Sequence, residues 1–277
     1  MNAGGWFEAV PDGDRDRAVQ AVRSGGAEQP GDWPALAVAE GFADEEAAYY
    51  EFLHEITVEA ARREVAHLER AEDKQLVHLV RAMDDLAETS NRLAERAAEW
   101  AASVYGEPRE GHGYVHEVAD RSPSSPIEAA VIDFAATVRA LDRRRESLET
   151  DIERQAEAVA PNLTGLAGPG LAARLIALAG GLESLAKKPS GTVQVLGAED
   201  ALFAHLEGHA PSPKHGIIYT HEYVRGTPEE KRGSAARALA GKLSIAARID
   251  HYRGEVHQPL QEDLDVRIEQ IRTGGDQ

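Results

Sequence analysis

Residues 79–104 read LVRAMDDLAETSNRLAERAAEWAASV, and apolar or small side chains recur there at Leu79, Met83, Leu86, Ser90, Leu93, Ala97, Trp100 and Val104, alternately four and three apart. That spacing is the heptad seam of a helix packed lengthwise on another helix. A second seam follows at Ile127, Val131, Phe134, Val138, Leu141, Arg145, Leu148, Ile152, Gln155 and Val159. Between them, residues 105–126 hold Gly106, Pro108, Gly111, Gly113, Pro123 and Pro126, a connection that continues neither helix. Two seams of similar length joined in this way predict an antiparallel coiled-coil hairpin about 50 Å long at 1.5 Å per residue. One antiparallel pair buries only a narrow stripe, so the rod is expected to pack against something else, such as a second copy.

Outward from the rod, residues 1–45 show little periodicity and many Gly, Pro and Asp, with Trp6, Phe7, Trp33 and Phe42 able to pin a small cap. The expected organisation is a short, weakly structured module over 1–60 and the coiled coil over 61–158. A compact helical domain over 159–255 and an acidic tail over 256–277 complete it. Pro161 ends the rod, and short apolar helices are expected at 171–179 and 193–206. A long helix should open at Thr227-Pro228-Glu229-Glu230, where Thr227 can cap, Pro228 suits the first turn and Glu230 can close a capping box. Only residues 216–220 (GIIYT) look extended. The fold class is therefore all-α.

Composition narrows the function. The chain has 277 residues and no cysteine, which excludes disulfides, thiolate metal sites and cysteine nucleophiles. No apolar run approaches the roughly 18 residues of a membrane span, so no membrane partner is expected, and the residues point to a soluble, cytoplasmic protein. The net charge of −18 argues against nucleic acid until its distribution is considered. Residues 1–158 hold 17 basic and 34 acidic side chains, whereas 159–255 hold 11 and 9, and 256–277 hold 2 and 5. Five of the six lysines lie between 187 and 242. An acid-rich, lysine-poor surface of this kind fits a salt-rich cytoplasm.

Catalytic signatures are sparse, and no cofactor is expected. The run 165–170 (GLAGPG) is glycine-rich but follows no strand and lacks the Gly-Lys-Ser/Thr of a phosphate loop, so it is expected to be a turn feeding a helix. His205 and His209 are four apart but have no third ligand at a diagnostic spacing. His112 and His116, in the Gly-rich connection, are expected to be solvated. No Gly-x-Ser-x-Gly elbow occurs. What stands out is the basic content after residue 187. On the long helix Lys231, Lys242 and Arg253 are 11 residues apart and share one face, while Arg237 and Arg248 share another. Such stripes suit a phosphate backbone.

Five motifs fall in one order over about 95 residues. They are Ala160-Pro-Asn-Leu163; Leu171-Ala-Ala-Arg-Leu-Ile176 with Ala179-Gly-Gly-Leu182; Val193-Gln-Val-Leu-Gly-Ala-Glu199 with Ala201-Leu-Phe203; Pro213-Lys-His-Gly216; and Arg237-Ala-Leu-Ala-Gly-Lys-Leu243 through Ala246-Ala-Arg-Ile-Asp250. Together they resemble the Nop domain, and Met83-Asp-Asp-Leu86, Asn91 and Glu95-Arg96 to Trp100 resemble its coiled-coil approach, so the likeness covers roughly 65–255. The chain is thus similar to the archaeal scaffold of box C/D small ribonucleoproteins, in a form suited to a salt-loving archaeon.

The resemblance implies a scaffold that is not an enzyme. Its partners would be a box C/D guide RNA, a kink-turn-binding ribosomal-type protein, the methyltransferase fibrillarin at the N-terminal end, and a second copy through the coiled coil. The assembly would direct 2′-O-methylation of RNA paired to the guide. Carried over by position, Lys214 and His215 match the RNA-facing Lys-His-Gly turn, and Arg232, Arg237, Lys242 and Arg248 match basic positions of the long helix. Gly197, Ala198 and Glu199 match the helix start that approaches RNA and kink-turn protein. The family's lysine after that glutamate is Asp200 here, and its arginine after Ala-Leu-Phe is Ala204. Both departures remove positive charge, which leaves open an alternative: a protein–protein adaptor whose Nop-like end no longer contacts RNA.

Overall fold

A computed structural model describes residues 5–11, 14–25, 31–255 and 259–274; every regular element among them is helical, and none is a strand. The all-α expectation holds. The chain divides into two compact units, Met1–Ala71 and Glu72–Gln277.

In the first unit, a 3₁₀ turn at Trp6–Ala9 precedes α1 (Arg15–Ser24), α2 (Trp33–Ala39) and α3 (Glu46–Leu68). Asp14 caps α1 by accepting from the Arg17 amide at 3.0 Å. The expected aromatic cap is present and larger than anticipated. Trp6 packs on Phe7, Phe42, Tyr49 and Phe52, and its indole N–H donates to the Tyr49 hydroxyl at 3.0 Å. The weakly structured module over 1–60 is therefore corrected: Ala18 and Val19 of α1 bury against Ile56 and Ala60 of α3, so α3 belongs wholly to this unit and the boundary falls at 71/72.

The second unit contains the rod. Its long helices are α4 (Glu72–Tyr105) and, after α5 (His112–Ala119), α6 (Pro126–Val159), the long pair having 34 residues each. Ser125 starts α6 by accepting from the Glu128 amide, with Pro126 in the first turn. The pair is antiparallel: Leu76, Val77 and Val80 of α4 meet Ile152 and Ala156 of α6, while Ala94 to Ala101 meet Val131, Ala135 and Val138. The connection departs from the sequence expectation of a plain loop. Small residues Ala94, Ala97, Ala98 and Ala101 leave room for α5, whose Tyr114, Val115 and Val118 are buried there, so the far end of the rod is three helices thick. His112 and His116 are also not simply solvated, because both ring systems bond to the nearly buried carboxylate of Asp142 on α6.

The head is built from α7 (Pro161–Ala167), α8 (Pro169–Ala179), α9 (Leu182–Lys187), α10 (Ser190–Val195), α11 (Glu199–Leu206), α12 (Glu222–Arg225), α13 (Arg232–Tyr252) and α14 (Pro259–Thr273). Its core is continuous with the near end of the rod, so 61–158 and 159–255 do not separate as expected. α13 runs through the centre with Ala235, Ala236, Leu239, Ala240, Leu243, Ala246 and Ala247 all within about 1% of full burial. The run 165–170 is not a free turn: residues 165–167 end α7, Gly168 alone separates the helices at φ 76°, and Pro169 and Gly170 already belong to α8.

Four local expectations are corrected. The 193–206 helix breaks at Gly197, whose φ of 81° lies in the left-handed region that favours glycine. Residues 217–220 form a 3₁₀ turn rather than an extended segment, with Ile218 fully buried. Thr227 does not cap the long helix: its hydroxyl donates to the Tyr223 carbonyl at 2.6 Å, and α13 starts only at Arg232 after a 3₁₀ turn at 229–231. Most consequential, the acidic tail is structural. α14 lays Leu260, Leu264, Ile268 and Ile271 into the head core and turns its charges outward.

Leu264 is fully buried and Val266, two positions on, is 59% exposed. Leu264→Ala should cost about 2–5 kcal/mol in urea unfolding, while Val266→Ala should stay within about 0.5 kcal/mol. Equal effects at the two positions would place α14 off the core.

Candidate nucleic-acid interface

The Lys-His-Gly turn owes its form to one contact. The Gly216 amide donates to the Gln194 carbonyl at 2.8 Å and the Ile217 amide to the Leu196 carbonyl at 2.8 Å, which fastens the turn along the end of α10. The approach is so close that a Cβ on Gly216 would stand 2.0 Å from the Leu196 carbonyl oxygen. Glycine is required here for space. The Gln194 side chain adds a bond from its amide to the Lys214 carbonyl at 2.7 Å.

Fastened in this way, the turn displays His215 at the surface. Its ring stacks on Tyr219 with centroids 4.7 Å apart and planes 21° from parallel, and the Arg232 guanidinium lies 5.6 Å from the other participant's centroid, that of Tyr219. Arg232 is held by its own Nε, which donates to the Thr227 carbonyl at 3.0 Å. Burial pushes the His215 imidazole below its ordinary value, and the positive charges of Arg232 and Lys214 push it the same way. Both effects favour the uncharged ring. Lys214 is exposed, with no side-chain partner among the described residues. Tyr219 was missed by the sequence reading, which placed it in an extended segment; its only signal was its position four residues after His215.

Next to the turn, Gly197, Ala198 and Glu199 form the bend into α11. Glu199 accepts from the Gly197 amide at 2.9 Å and so steadies that bend. α11 buries none of its residues, and Phe203 and Leu206 are 62% and 70% exposed. Asp200 is exposed as well. The His205–His209 pair does not converge on a metal: His205 bonds to the Ala210 carbonyl at 2.9 Å and His209 pairs with Glu207 at 3.4 Å.

The long helix corrects the expectation of basic stripes. Lys242 is engaged by Asp263 of α14 at 2.8 Å, and Lys231 donates to the Arg272 carbonyl at 3.2 Å. The lysine face thus docks the tail helix. Arg248 points its guanidinium at the end of α9, donating to the carbonyls of Ala186 at 3.0 Å and Lys188 at 3.3 Å. Arg237 alone among the four named cations of α13 is exposed without a partner among the described residues. His215 and Arg232 meet at Tyr219, with Lys214 beside His215 in the turn; Lys242 and Arg248 do not join them.

The family described as Nop, snoRNA binding domain, fibrillarin, matches residues 75–270. A NOP5 family protein of Methanocaldococcus jannaschii is 36% identical over 257 residues, covering 79% of this chain and 62% of that protein. Nucleolar protein 56 of Mus musculus is 40% identical over 146 residues, covering 51% of this chain and 25% of that protein. A crystal structure of a fibrillarin/Nop5p complex superposes with a TM-score of 0.55 at 29% identity, covering 97% of this chain and 98% of that one. The chain therefore spans less than two thirds of the length of these curated relatives.

Because Gly216 is held by backbone bonds with no room for a side chain, Gly216→Ala should loosen the turn without touching its charges. Amide hydrogen exchange at residues 216 and 217 should speed up at least tenfold. Exchange at the Ala240 amide, inside α13, should be unchanged, and unaltered protection at 216 and 217 would contradict the steric account.

Proposed function

We propose that this chain, which belongs to the Nop family, is a scaffold of a box C/D ribonucleoprotein that holds guide RNA and fibrillarin together and performs no chemistry itself. The observation that bears most on this is the half-buried His215 imidazole stacked on Tyr219, with Arg232 over the tyrosine ring and Lys214 exposed next to the histidine in the turn. An unpaired base can stack on that surface while the two cations meet phosphates. Arg237 extends the positive surface along α13. The uncovered Phe203 and Leu206 of α11, beside Gly197, Ala198 and Glu199, supply an apolar face for a kink-turn-binding protein that sits on the same RNA.

The rod would pair two copies. Leu86, Leu93 and Trp100 stay only half-buried within one chain, leaving part of the seam for a partner. The first unit would hold fibrillarin, the methyltransferase named with Nop5p in the structural relative. A scaffold of this sort contributes geometry: it fixes the distance between methyl donor and paired target. The acidic exterior suits work in concentrated salt, where counterion release adds little and stacking and shape matter more.

The adaptor reading keeps one observation in its favour, since Lys242 and Arg248 are spent on α14 and α9 and Asp200 replaces a cation. Reconstitution with a box C/D guide and a kink-turn protein separates the two. Lys214→Ala with His215→Ala should weaken joining at least tenfold, whereas Lys242→Ala should leave it within about twofold. Full binding by the double variant would favour the adaptor.

A pull-down in molar salt tests the other end. Removing residues 1–71 should abolish retention of fibrillarin while leaving RNA binding intact; retention without that unit would move the contact to the rod.

A further inference from the structure

We propose that His112, His116 and Asp142 bind one divalent transition-metal cation, of which Zn²⁺ fits best, and so clamp α5 to the rod. The three groups come from two elements. His112 and His116 are four apart on α5, which places both rings on one face of the helix, and Asp142 stands opposite on α6 with its side chain 8% exposed. His112 Nδ1 and His116 Nε2 both lie 2.7 Å from the same oxygen, Oδ2 of Asp142. All three donor atoms fall within 4.8 Å of one another. Bonds of about 2.0–2.2 Å to imidazole and carboxylate need donors roughly 3.3 Å apart in a tetrahedron, so opening the two contacts by about 0.6 Å makes the site. Two imidazoles, one carboxylate and no thiolate favour zinc over softer ions.

The surroundings are those a metal site requires. Oδ1 of Asp142 accepts from the Ser90 hydroxyl at 2.6 Å, which aims the other oxygen at the histidines. Nε2 of His112 is 2.9 Å from the Asn91 side-chain oxygen, an acceptor that can hold the ring hydrogen on Nε2 and so free Nδ1 for a metal when its proton contact to Asp142 is released. Asn91 and His112 also line a groove between α4 and the segment after it, bordered by Glu95 and Glu110, which gives a cation an acidic approach. The two imidazoles remain about a third exposed, leaving the fourth coordination position to water.

The test uses the full chain, stripped with chelator and titrated with Zn²⁺ in a calorimeter, then with Co²⁺ followed by visible absorption. One equivalent of Zn²⁺ should bind with a raised midpoint of thermal unfolding, and Co²⁺ should show the intense bands of a four-coordinate site. His116→Gln can still donate to Asp142 and keeps the fold, as circular dichroism would verify, but should weaken binding at least tenfold and abolish those bands. His209→Ala, at an exposed position elsewhere, should change neither. Less than one equivalent bound by the folded wild type, or unchanged affinity and absorption in His116→Gln, would overturn the site.

Discussion

The carboxylate of Asp250 anchors the start of the first helix after the rod. It lies on α13, is 9% exposed, and accepts from the Asn162 amide at 3.0 Å, the Asn162 side chain at 2.7 Å and the Leu163 amide at 2.8 Å. These amides are the unpaired first donors of α7, the helix that begins where α6 ends, and a negative charge there also meets the positive end of the helix dipole. One side chain thus fixes the direction in which the chain leaves the rod, 88 residues away in sequence. Asp73 does the same for α9, accepting from the Leu182 amide at 2.8 Å, and Arg174 grips Asp84. The Asp73 and Asp84 bonds cross between rod and head, so the angle between them is held by polar contacts as well as by core.

That attachment separates the residues of the Nop likeness that are internal from those left at the surface. A motif gathers residues used for any purpose, and here many are internal. Asn162 and Asp250 belong to separate motifs and meet each other. Arg248 closes the end of α9, and Gly216 exists to let two backbones touch. The surface proposed for recognition is small: a stacked imidazole, two or three cations and the open side of α11. A net charge near zero in this third of the chain is enough for that, because stacking contributes energy that a salty solution screens very little.

The sequence was read correctly wherever the signal was periodic and long. The two seams and the aromatic cap rest on spacing or on residue chemistry that acts locally. It was misread where local signals competed with distant ones. Thr227-Pro228-Glu229-Glu230 has the form of a capping box, yet the Thr227 hydroxyl goes back to Tyr223 while Arg232 takes its carbonyl and Arg272 of α14 meets its oxygen at 3.2 Å. The GIIYT run has strand-like composition but no neighbouring strand to bond with. The tail was legible only as acidic, because five acids in 22 residues hide the four apolar positions that share one face of α14.

By itself, the sequence determined the all-α class, the length and antiparallel course of the rod, and the order of the Nop motifs, because helical periodicity is a property of neighbouring residues. Only the tertiary structure decided which charges are free. Lys231 and Lys242 are indistinguishable from Lys214 as residues, and it is the docking of α14 that occupies the first two and leaves the third exposed. The same holds for His112, His116 and Asp142, which are 26 to 30 residues apart where they meet. A charge acquires its role from what folding brings within a few ångströms of it, and no spacing along the chain encodes that.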